Sequence, residues 1–146
     1  MFKTEKDMVI ALVSLLENNS LKLNDLRDCI LKQEVEGLIG RPDLLLKNQN
    51  SKKIITIELK LKNWKRALAQ AFKYKSFSDK AYVCMDQNNI YPALKNLEMF
   101  KKYNIGLISI DNNYKIKVYY KPKLRKAYSK KLYENVQNIF NEPRTI

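Results

Sequence analysis

The stretch Ile54–Trp64, IITIELKLKNW, constrains the fold more than any other part of the chain. Ile55, Ile57, Leu59 and Leu61 fall on one face of an extended backbone, and Thr56, Glu58, Lys60 and Lys62 fall on the other. Its β-branched residues predict a strand near the centre of a sheet. Such a strand carries Glu58 and Lys60 on one face, and that pairing needs a chemical reason.

The flanking sequence supplies the rest of the sheet. Thr4 followed by Asp7 reads as the cap of an amphipathic helix over 5–18, in which Met8, Leu12, Leu15 and Leu16 recur at helical spacing. DCILKQEVEGLIG predicts a strand over roughly 29–39, and RPDLLLK a second strand starting at Pro42. NQNSKK is a turn, and 54–61 is the third strand. That turn is too short for a parallel crossover, so the strands form an antiparallel meander. Asn63 caps a helix over 64–77, with Trp64, Leu68, Ala71, Phe72 and Lys75 on its packed side. A buried strand follows over 80–86, then a helix from Pro92 to about Lys102. A second buried strand spans 105–111, and a half-exposed edge spans Tyr114–Tyr120. The strand–helix alternation implies parallel crossovers. After Pro122 a basic segment leads to a helix over roughly 128–141. The expected class is α/β, with a central mixed sheet, an antiparallel meander and then a parallel crossover, flanked by helices. Residues 1–146 read as a single domain, with the basic segment and C-terminal helix in 121–146.

Composition removes several chemistries. The chain has no histidine, so Ser-His and Cys-His nucleophilic catalysis are excluded. Cys29 and Cys84 form no CxxC pair, cannot build a zinc site, and read as two small core residues. The longest apolar runs, such as MVIALVSLL, are too short to span a bilayer. That run follows Glu5 and Asp7 and lacks a small-residue cleavage site, so a cytoplasmic protein with no membrane partner is expected. The net charge of +13 points to a polyanion, with nucleic acid first and an anionic membrane surface second. A generally lysine-rich proteome would give the same charge.

Asp43 starts the strand before Glu58 and Lys60, and ends of neighbouring strands lie about 5 Å apart. The three side chains can therefore converge. Two close carboxylates repel, and a cation shared between them removes the penalty. Mg²⁺ takes one or two carboxylates plus waters and substrate phosphate, and a lysine beside it can orient or deprotonate a water. The bland alternative is an exposed Glu58–Lys60 ion pair on a solvated face.

Asp43 in RPD, fourteen residues, then Glu58 and Lys60 in ELK resembles the PD-(D/E)xK nuclease superfamily. Gln70 and Tyr74, at i, i+4 in the following helix, resemble the QxxxY element of its RecB-like and Cas4-like branches. Glu5 lies in the first helix, where many members carry an acid, on the stripe of Met8, Leu12 and Leu15. The resemblance covers about residues 1–111 and implies a restriction-endonuclease-like core, Mg²⁺ or Mn²⁺, and phosphodiester hydrolysis. It implies Asp43 and Glu58 as metal ligands with the Leu59 carbonyl, and Glu5 holding the metal directly or through water. Lys60 would orient the attacking water, and Gln70 and Tyr74 would position a ligand or the scissile phosphate.

The expected function is therefore a metal-dependent nuclease, with DNA the first candidate substrate. Arg66 shares the face of Gln70 and Tyr74, and with Lys121, Lys123, Arg125 and Lys126 forms the expected nucleic-acid contacts. Glu34 and Glu36 read as a surface pair or as support for a metal shell. Trp64 reads as a core or hinge residue. Tyr119, Tyr120 and Tyr128, among basic residues, fit a nucleic-acid surface or a partner interface. The Tyr114–Tyr120 edge offers a surface for a homodimer. The rival class is a non-catalytic nucleic-acid- or protein-binding member of the same fold.

Overall fold

The computed structural model describes residues 1–36 and 38–141. Position 37 of the expected first strand and positions 142–146 of the expected C-terminal region lie outside them. Six strands form one sheet in chain order: β1 (Cys29–Gln33), β2 (Leu44–Asn48), β3 (Ile54–Lys60), β4 (Lys80–Asp86), β5 (Gly106–Ile110) and β6 (Ile116–Tyr120). β1–β2–β3 is an antiparallel meander, β3–β4 and β4–β5 are parallel, and β5–β6 is antiparallel. The chain is thus α/β with a mixed sheet, and β3 sits at its centre as its composition requires.

Helices cover both faces. On one side α1 (Glu5–Glu17) buries Met8, Ala11, Leu12 and Leu16 against Ile55, Ile57 and Leu59. On the other, α2 (Trp64–Tyr74) sets Ala67, Leu68 and Ala71 against Ala81, Val83 and Met85. The crossover between β4 and β5 carries α3 (Tyr91–Leu94) and α4 (Leu97–Tyr103) on that same face. α5 (Lys130–Asn141) completes the layer, with Val136 packed beside Leu45, Ile54, Tyr74 and Phe77. Both expected caps form: Thr4 Oγ1 accepts the Asp7 N–H at 3.1 Å, and Asn63 Oδ1 accepts the Arg66 N–H at 3.2 Å.

Three departures from the sequence reading have local causes. β1 ends at Gln33 rather than running to 39, because Glu34 adopts φ +48° and turns the chain aside. β2 starts at Leu44, two residues after Pro42. The helix expected from Pro92 to Lys102 is broken into α3 and α4. There the Asn96 side chain donates to the Pro92 carbonyl at 2.8 Å and takes an acceptor the helix would have used.

Candidate active site

The polar face of β3 does not meet solvent. Glu58 is 4% exposed and Thr56 is buried, because α2 and α5 cover that face. This rules out the exposed ion pair. Leu44 pairs with Ile57, so the next step of the register sets Asp43 beside Glu58 at the mouth of the β2–β3 hairpin. Asp43 Oδ2 accepts the Leu59 N–H at 2.9 Å.

Glu58 Oε1 accepts the Tyr74 hydroxyl at 3.0 Å. The loop before Asp43 makes room for that tyrosine at Gly40, where φ is +78° and a Cβ would stand 2.8 Å from Tyr74 Cε1. Lys60 Nζ lies 3.8 Å from Glu5 Oε2 at the start of α1. A cleft of about 310 Å³ is lined by Gly40, Arg41, Asp43, Glu58, Lys60, Gln70, Lys73 and Tyr74. Asp43 also borders a second hollow of about 450 Å³, shared with Glu5, Gln33 and Glu34.

The carboxylates are under electrostatic load. Burial, and then the charge of Asp43, push the Glu58 carboxyl up to about 7, and the Tyr74 hydrogen bond only partly opposes this. Burial also raises Asp43, against the pull of the Leu59 N–H and of Lys60. Burial and the adjacent Glu58 hold the Tyr74 phenol far above its ordinary range, so it remains a donor.

The donor set fits a hard divalent cation. It is all oxygen: two adjacent carboxylates and Gln70 Oε1, which is buried with no hydrogen-bond partner. Among the described residues no three Asp, Glu or Cys side chains cluster as a ligand set. The Glu5 carboxylate is paired to Lys60 and lines the hollow it shares with Asp43.

Of the residues singled out from the sequence, Asp43, Glu58, Lys60, Gln70 and Tyr74 come together in the cleft. Arg66 is exposed and lies outside its lining, one turn beyond Gln70 toward the start of α2. The basic segment also stands apart. The Arg125 N–H bonds the Asp79 carbonyl, and the Asp79 N–H bonds Ile54, four strand residues or about 13 Å below Glu58. Lys121 lines a separate groove beside β6, while Arg125 and Lys126 line a hollow near Tyr128. Glu34 and Glu36 face Arg41 at 3.9 and 3.2 Å. Besides Lys60, the cleft holds two cations that escaped the sequence reading, Arg41 and Lys73. Their signals were adjacency to the Pro42–Asp43 step and an i+3 position from Gln70.

No helix among the described residues is long and apolar enough to cross a membrane. No protein-family model matches the chain, and no curated protein matches it. Among solved structures, SfsA of Pyrococcus furiosus in complex with Ca²⁺ matches with a TM-score of 0.45 and 14% identity. The match covers 71% of this chain and 58% of that one. A likeness of that degree carries no inference about chemistry.

Proposed function

We propose that this protein is a metal-dependent nuclease of the PD-(D/E)xK type, hydrolysing phosphodiester bonds in DNA with Mg²⁺ or Mn²⁺. The observation that carries the reading is the meeting of Asp43, Glu58 and Lys60 in one cleft, beside the Gln70 oxygen. Two raised carboxylates side by side are costly to a metal-free fold. A structural ion pair would not require them both.

Asp43, Glu58 and the Leu59 carbonyl would hold the cation, with Gln70 Oε1 next to them. When bound, the cation supplies charge to offset the carboxylates and Lewis acidity toward the phosphodiester. Lys60 stands beside both carboxylates and carries the charge that orients a water and stabilises the negative charge developing on the phosphate. Glu5 is a positioning residue that restrains the Lys60 ammonium at the cleft wall. Tyr74 fixes the rotamer of Glu58 through its hydroxyl. Arg41 and Lys73 line the same cleft and receive the flanking phosphates.

β6 is an edge strand of the sheet, and its free edge is the surface a homodimer would use. The test is a cleavage panel of duplex, junction, flap, single strand and RNA, in Mg²⁺, in Mn²⁺ and in chelator. Metal-dependent cutting of at least one DNA substrate is expected, and its absence from the whole panel would overturn the proposal in favour of a binding protein.

A further inference from the structure

The sequence places Phe72 on the packed side of α2, yet in the fold the residue is 39% exposed. Its ring stands 5.4 Å from Tyr103, edge-on at 72°, and 6.0 Å from Tyr128, which is 63% exposed. The three rings border a hollow of about 510 Å³ that also takes in Lys102, Arg125 and Lys126, and no acidic residue lines it. Beneath them Lys75 is only 4% exposed. Its ammonium donates to the Tyr103 carbonyl at 3.0 Å and lies 5.5 Å from the Tyr128 ring centre. Among the described residues no carboxylate pairs with it. A buried ammonium has three donors to satisfy, and an unpaired one is costly.

The hollow is also pre-set. The Tyr128 N–H bonds the Lys75 carbonyl at 3.1 Å and the Ser129 N–H bonds the Ser76 carbonyl at 2.8 Å. The Lys123 N–H donates to Asn104 Oδ1 at 2.8 Å. Tyr128 is therefore presented by a segment tied to α2 and to the end of α4, at little ordering cost to a ligand.

We propose that this hollow binds single-stranded nucleic acid, with an unstacked base against Phe72 and Tyr128 and phosphates against Lys102, Arg125 and Lys126. Base faces are hidden in a duplex and available in a single strand. A phosphorylated peptide would use the cations but leave the rings without a role. Lys73, which lines the catalytic cleft, is the neighbour of Phe72 in the chain, so a strand leaving the cleft reaches the hollow around the end of α2. The choice of nucleic acid as the polyanion rests on the nuclease reading of the cleft; the preference for exposed bases rests on the rings.

The test is fluorescence anisotropy in chelator, comparing a labelled oligothymidylate with an abasic oligomer of the same length and charge. The wild type should bind the thymidylate about tenfold more tightly. Tyr128→Ala should erase that preference, and Tyr128→Phe should keep it. Lys102→Ala should weaken both ligands alike and flatten their salt dependence. Equal binding of the two oligomers by the wild type would overturn the proposal. So would an equal loss for both in Tyr128→Ala, or full competition by a phosphopeptide. Failure of the nuclease reading shows up elsewhere, as an absence of cutting, and leaves this comparison intact.

Discussion

Glu58→Gln isolates the electrostatic load on the cleft. Glutamine keeps the side-chain length and an oxygen to accept the Tyr74 hydroxyl, and removes the charge. In the folded protein Glu58 titrates near 7 instead of 4.5. Below about pH 4.5 the group is protonated in both folded and unfolded states, and its favourable share of stability is fully present. Between there and about 7 the folded state keeps a proton that the unfolded chain has released, so stability falls as pH rises, and the loss is complete above 7. The displacement corresponds to about 3 kcal/mol for a group titrating alone. Water in the open cleft and the linked titration of Asp43 bring the expected loss to about 2 kcal/mol. The assay is urea unfolding in chelator at pH 5 and pH 8. The wild type should lose about 2 kcal/mol between them, beyond the change seen in Glu58→Gln, because carboxylates away from the cleft contribute equally to both proteins and the Asp43 share is relieved along with the Glu58 charge. At pH 8, Mn²⁺ should restore the wild type and leave the variant nearly unchanged. Equal pH dependence in the two proteins would refute the load on Glu58. Equal stabilisation by Mn²⁺ would place any metal site elsewhere.

Lys60→Met should fold normally and slow metal-dependent cleavage by about 10²–10³, measured as single-turnover rates. Asp43→Ala should abolish cleavage while DNA affinity in chelator, read by anisotropy, stays level or rises slightly, because one like charge has gone from beside the phosphate. Tyr74→Phe removes the hydrogen bond that holds Glu58 down, so the midpoint of the pH-dependent rise in Mn²⁺ stabilisation should move to higher pH in a thermal-shift series; an unmoved midpoint would count against it. Gly40→Ala introduces a methyl 2.8 Å from the Tyr74 ring at φ +78°, and should cost about 1–3 kcal/mol in urea unfolding.

The sheet was legible because its strands announce themselves one by one. KAYVCMD is β4 residue for residue, and IITIELK is all of β3. Asp43, Glu58 and Lys60 were legible too, since a hairpin fixes which residues face each other. What escaped the sequence depends on contacts between elements. The Glu5 carboxylate pairs with Lys60, a contact between the first helix and the end of β3 that no local pattern encodes. Arg66 lies on the helical stripe of Gln70 and Tyr74, but the cleft extends only as far up α2 as Gln70. Helical spacing puts Phe72 on the packed side of α2, yet it is 39% exposed, and its neighbours Tyr103 and Tyr128 come from distant segments that no local pattern encodes.

Every strand of the sheet pairs with its neighbour in the chain. Assembly can therefore proceed by short steps, each closing a modest loop. Asp43 and Glu58 belong to one hairpin, β2–β3, so their meeting is written into a local pairing. The Lys60–Glu5 contact joins the end of β3 to the first helix, and the segment before that helix is tied further along the chain, where the Phe2 N–H bonds Asp86 Oδ2 at 2.9 Å over a separation of 84 residues. One cleft thus combines a local pair of acids with a lysine whose partner comes from a distant part of the chain.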